Sequence, residues 1–199
     1  MAHEPHRNVA DHIVSAALEL AVDRGWRSLS LADIAAHAQV TLSDVVDTFG
    51  SKTGILDAYA RGIDRKMLDG SFDPSEPLRD RLFDTVMRRF EAMAPDRRAL
   101  AAILRDSGDD PWALLCGVRR FGKSMALTLE AAGLPSSGLA GLARVEALAV
   151  LVLYVLRVFL DDDSEDLART MAALDKALRR AEGMAALVWR RRPEGQAAA

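Results

Sequence analysis

Cysteine is nearly absent: Cys116 is the one thiol in 199 residues. The chain can therefore form no intramolecular disulfide and no all-cysteine metal site, which fits a reducing, cytoplasmic setting. Cys116 lies in an apolar helical stretch and reads as a small hydrophobe rather than a sensor thiol. Aromatics make up only 6% of the chain, while Ala and Leu are plentiful, which favours helices over a β-sandwich or barrel. Histidine stops at His37, so Cys116 has no imidazole partner in its own half. His3, His6, His12 and His37 lack the clustered i, i+4 spacing of a metal site. There is no glycine-rich phosphate loop and no Ser/His/Asp set on recognisable supporting structure. These absences argue against an enzyme and predict no catalytic residue, no cofactor and no metal. The first residues show no apolar signal-peptide core. The longest apolar run, Ala147 to Leu156, is closed by Arg157; it is too short to span a bilayer and reads as a core helix.

Positive charge is also in short supply. The net charge is −3, which gives no general pull toward nucleic acid. Residues 1–61 hold Arg7, Arg24, Arg27, Lys52 and Arg61 against Glu4, Asp11, Glu19, Asp23, Asp33, Asp44, Asp47 and Asp57, so this third of the chain is itself acidic.

What is present is ordinary globular composition, half hydrophobic and 28% charged, in a chain long enough for one or two domains with a real core. The most informative stretch runs from Ser30 to Leu56. Ser30 is placed to cap a short helix carrying Leu31, Ile34, Ala35 and Ala38 on one face. Gln39-Val40-Thr41 interrupts it. Thr41 is placed to cap a second helix whose Leu42, Val45, Val46 and Phe49 share a face, and Gly50-Ser51 ends that helix and caps a third from Lys52. Two short helices joined by a tight turn form either a helical hairpin of an all-α domain or a helix-turn-helix, whose second helix can enter the major groove.

Leu31-Ala32-Asp33-Ile34-Ala35-Ala36-His37-Ala38-Gln39-Val40-Thr41, followed by Phe49-Gly50-Ser51-Lys52 and Ile55-Leu56, resembles the N-terminal domain of the TetR family of one-component regulators. The resemblance covers about a quarter of the chain. It implies a homodimeric transcriptional repressor that binds double-stranded operator DNA and leaves it when a small apolar ligand enters the C-terminal domain. It places base and phosphate contacts on Thr41, Leu42, Ser43, Asp44, Val46, Asp47 and Thr48, with Lys52 on a phosphate and Ser30 also at the DNA face. The departures are specific. Gln39 stands where the family has a turn glycine, Val46 replaces its tyrosine and Thr48 its histidine. Asp44 and Asp47 bring carboxylates toward phosphate, although an aspartate can accept from cytosine N4.

The rest of the chain reads as helices. A first helix spans about Asn8 to Arg24, with Trp26 and Leu29 plugging the junction behind it. The fourth carries Ile55, Leu56, Tyr59, Ile63 and Met67. Asp73-Pro-Ser-Glu-Pro77 marks a boundary, giving a DNA-binding-type domain over 1–70 and a ligand-binding and dimerisation domain over 71–199. Beyond it come helices over Leu78–Met93, from Pro95, over Trp112–Ala132, over Leu139–Leu160 and over Glu165–Val188, about nine in all. The helix over 139–160 is apolar on nearly every face, which predicts a dimer seam or a cavity wall. Asp161-Asp162-Asp163 fits carboxylates at a helix start better than a metal site. Apolar size alone nominates Phe83, Met87, Phe90, Trp112, Phe121 and Met125 as ligand-pocket residues, each of which is otherwise ordinary core. A second, shorter resemblance joins Leu160–Leu167 and Met171–Asp175, with Pro95–Leu100, to the TetR-fold accessory proteins of ubiquinone biosynthesis, which bind lipid and not DNA. The acidic helix-turn-helix is what that alternative predicts.

Overall fold

Side-chain caps set where the N-terminal helices begin. The computed structural model describes residues 4–70, 73–107 and 111–190, with the side chains of 4–8, 111–116 and 184–190 left aside. Helix α1 (Glu4–Arg24) leads to α2 (Leu31–His37), α3 (Leu42–Phe49) and α4 (Lys52–Leu68). Ser30, Thr41 and Ser51 cap α2, α3 and α4, each accepting a hydrogen bond from the backbone three residues on. The remaining elements are α5 (Leu78–Met93), a 3-10 turn (Ala94–Asp96), α6 (Arg97–Ser107), α7 (Pro111–Ala131), α8 (Gly138–Leu160) and α9 (Ala168–Arg190). The protein is all-α, with no strand among the described residues.

Two apolar cores form. The first gathers Ile13, Ala17, Leu20 and Ala21 of α1 with Trp26, Leu29, Ile34, Ala35, Val45 and Ile55. Trp26 and Leu29 do plug the junction after α1. The second gathers Val86, Met87 and Phe90 of α5 with Met125 and Leu129 of α7, Val152, Val155 and Phe159 of α8, and Leu174 and Leu178 of α9. At its centre the rings of Phe90 and Phe159 lie 5.1 Å apart. Helix α6 serves both cores: Ala99 and Ile103 join the first, while Leu100 packs on the second. Leu104, the next apolar residue after Ile103, is exposed.

Two polar connections fix α4 and α6 against their neighbours. Arg89 of α5, only 5% exposed, donates to Asp64 of α4 at 2.6 Å and to Thr128 of α7 at 3.2 Å. Ser124 of α7 donates to the same Asp64 oxygen at 2.5 Å. At the other side, Asp106 of α6 accepts from the backbone N–H of Arg27 at 3.1 Å. Gly25, with φ +79°, allows that approach, since a Cβ there would stand 2.9 Å from the carboxylate.

One helix boundary needs correction. Helix α9 begins at Ala168, not Glu165, because Leu167 adopts a left-handed φ of +54° and breaks the path. Asp162, the middle of the three aspartates, is buried and organises this turn, accepting from Ser164 N and Oγ and from Thr170 N and Oγ1. Helix α8 has 23 residues, Gly138–Leu160, within one residue of the span expected over 139–160. By length and composition it is apolar enough to cross a membrane, yet it packs against α6, α7 and α9.

Candidate nucleic-acid interface

The turn between α2 and α3 is closed by the backbone. Val40 N–H reaches Ala35 O at 3.0 Å and Gln39 N–H reaches Ala36 O at 3.3 Å, the paired bonds of a Schellman motif. Such a motif needs a left-handed residue, and Gln39 supplies it with φ +54°. A glycine would meet the same demand without strain, which explains physically why Gln39 can stand at that position at a small cost. Gly50, at φ +69°, ends α3. Four residues later a Cβ on Gly54 would collide with the Phe49 carbonyl oxygen, so α4 can start this close to α3 only with glycine there.

Both short helices carry full capping boxes. Asp33 accepts from Ser30 N–H and from its hydroxyl, while Ser30 Oγ accepts from Asp33 N–H. In α3, Asp44 accepts from Thr41 N–H at 2.9 Å and Thr41 Oγ1 at 2.6 Å, and returns its own N–H at 3.1 Å. The Ser30 hydroxyl holds Asp33, and the Thr41 hydroxyl holds Asp44, below the usual carboxylate range. Asp44 is thus a capping group whose hydrogen-bonding oxygen faces its own helix end. Capping explains its presence better than base reading does.

Val45 anchors α3 in the first core with Phe49 beside it. Leu42 and Val46 sit on the other flank of the apolar stripe and are 46% and 45% exposed, open to the surface on which the family resemblance places DNA contacts. A two-turn helix resting on one partner surface buries less than its whole stripe. Thr41, Ser43, Asp44, Asp47 and Thr48 are exposed around them. Thr48 donates to Asp44 O at 2.6 Å and Ser43 to Asp47 at 3.3 Å. Ser30 is exposed at the start of α2. Lys52 is placed differently from a free phosphate hook. Its Nζ donates to Trp26 O at 2.5 Å and Leu29 O at 2.7 Å and lies 4.9 Å from the Trp26 ring. Burial lowers its pKa and nearby Asp106 partly offsets this.

Residues 13–59, which contain this whole arrangement, match the family of bacterial regulatory proteins, tetR family. The chain carries a TetR-family regulatory domain. The remaining helices extend the likeness to the full fold. The TetR transcriptional regulator from Nitrosomonas europaea ATCC 19718 superposes with a TM-score of 0.74 at 23% identity, over 88% of this chain and 99% of that one. A TetR transcriptional regulator from Rhodococcus sp. RHA1 gives 0.63 at 20% identity, over 89% and 97%. No curated protein matches the chain.

Within this TetR fold the nominated pocket residues divide. Met87, Phe90 and Met125 are buried in the second core, and Phe83 and Phe121 pack against it. The side chains of Trp112 and Cys116 lie outside the described residues, as do those of His3 and His6. A groove of about 510 Å³ lies elsewhere, between α8 and α9, lined by residues including Ala147, Val150, Tyr154, Ala177 and Ala181. Sequence reasoning missed the buried Arg89–Asp64 pair, because a charged residue on an amphipathic helix carries no mark of which neighbour will cover it.

Proposed function

We propose that this transcriptional regulator of the TetR family is a homodimeric, cytoplasmic repressor that binds operator DNA through α3 and is released by a small apolar ligand. The carrying observation is α3 itself: a capped helix held by Val45 in the core, with Leu42, Ser43, Asp44, Val46, Asp47 and Thr48 facing outward from a Schellman turn. With few cations available and the donors of Ser30 and Thr41 held by Asp33 and Asp44, phosphate contact falls to the first turn of α3 at Ser43, with the remaining Lys52 proton as an added donor. Dimerisation through α8 and α9 brings two such helices to one major-groove repeat, about 34–36 Å apart. Leu142, Val150, Leu153 and Tyr154 support this, forming an exposed face on α8 beside the α9 groove.

In this reading residues 1–70 bind DNA and 71–199 bind ligand and partner. A ligand among Phe83, Met87, Phe90, Phe121 and Met125 favours one packing of the second core over another. Arg89–Asp64 transmits the difference to α4, and α6 transmits it through Asp106 to the loop after α1. The lipid-binding accessory alternative shares the fold and makes no use of a helix-turn-helix; the match over 13–59 supports the DNA reading instead. Selection of bound fragments from whole genomic DNA at low salt tests the proposal. Enrichment of a palindrome is expected, and recovery of no sequence above background by a folded protein refutes it.

A further inference from the structure

The bidentate readers of guanine and adenine are missing from α3. Its sequence, Leu-Ser-Asp-Val-Val-Asp-Thr-Phe, has no Arg or Lys for guanine and no Asn or Gln for adenine. Its polar side chains are engaged locally. Thr41 donates to Asp44, Thr48 to the Asp44 carbonyl and Ser43 to Asp47. What projects freely is an apolar pair, Leu42 and Val46. The pair is one helical turn apart, so its Cβ atoms are about 6 Å from each other. Against a rise of about 3.4 Å per base pair that distance spans one to two steps. The patch comprises two side chains, far smaller than a protein interface requires. The one apolar feature on a major-groove base edge is the C5 methyl of thymine.

Resting on the DNA-binding reading, we propose that Leu42 and Val46 are the specificity-determining residues of α3, packing on the methyl groups of two thymines one or two steps apart in each half-site. Recognition by methyl contact requires no cation on the helix, which accounts for an interface that is acidic and still complementary to DNA bases.

The test uses the full-length protein and the duplex recovered by genomic selection. Each thymine of a half-site is replaced in turn by deoxyuridine, which removes the methyl and leaves base pairing intact. Two positions per half-site are expected to weaken binding about fourfold each. Val46→Ala should erase the effect at one of them and Leu42→Ala at the other, with thermal melting unchanged because both side chains are exposed. Binding that ignores every uridine substitution overturns the inference while leaving the DNA-binding function standing. So does a uridine effect that persists in both variants. Failure to select any sequence removes the DNA-binding reading itself, and the inference with it.

Discussion

Lys52 Nζ joins the carbonyl oxygens of Trp26 and Leu29, at 2.5 and 2.7 Å, across the face of the Trp26 indole. The first residue of α4 therefore pins the loop that leads into the helix-turn-helix. A lysine that served phosphate alone would leave stability untouched when removed. Here Lys52→Ala should lower stability by about 1–2 kcal/mol, through loss of two charge-assisted bonds and a ring contact. Thermal melting should fall by several degrees without any DNA present. An unchanged melting temperature would show that the contact is idle.

The buried Arg89–Asp64 pair makes a second prediction. Burial pulls the Arg89 pKa down, and only the Asp64 carboxylate offsets it. Asp64→Asn or Arg89→Met should each cost about 3 kcal/mol or more in denaturant unfolding, since one charge is left buried alone. Replacing both together with apolar residues should recover much of that loss. If the pair is also the link from α5 to α4, the double variant will bind operator and respond poorly to ligand.

Asp162 predicts the acid limb of stability. Burial raises its pKa, but hydrogen bonds from Ser164 and Thr170 outweigh burial and hold it well below the ordinary carboxylate range. A depressed folded value means the stabilisation is complete above the unfolded value of about 4. It is lost as pH falls below that value toward the folded one. Asp162→Asn should therefore be destabilised at pH 7, by about 2 kcal/mol, and the gap to the parent protein should narrow below pH 4. A gap constant between pH 7 and pH 3 would contradict the assignment.

Helix α8 predicts the oligomeric state. Val150 is 70% exposed in the single chain and lies at the α8–α9 groove. Val150→Glu should convert the dimer to a monomer in sedimentation equilibrium while leaving the helical signal intact, because no core contact is removed. A parent protein that sediments as a monomer would refute this seam.

The N-terminal domain was legible because its signals are local. Ser30, Thr41 and Ser51 cap the helices they precede, and a cap needs only its own next three residues. The hold of Thr41 on Asp44 was not legible, because Thr41 was read only as a cap and not as the donor to that carboxylate. Periodicity put Leu42 and Val46 on one stripe with Val45 and Phe49, but not which flank of that stripe meets the core. The start of α9 was missed by three residues, since the left-handed turn at Leu167 depends on Asp162 being buried. The Arg89 network joins residues 25 to 39 positions apart, beyond any local pattern.

The central claim is that α3 is the DNA-reading surface, and one binding isotherm addresses it most directly. Fluorescence anisotropy on the selected operator should compare the parent protein with Val46→Glu, whose melting temperature should match the parent because Val46 is exposed. The account predicts that the added carboxylate, brought against bases and phosphates, weakens binding about a hundredfold or more, the equivalent of about 2.7 kcal/mol. Equal affinity of the two proteins for the same duplex would contradict it.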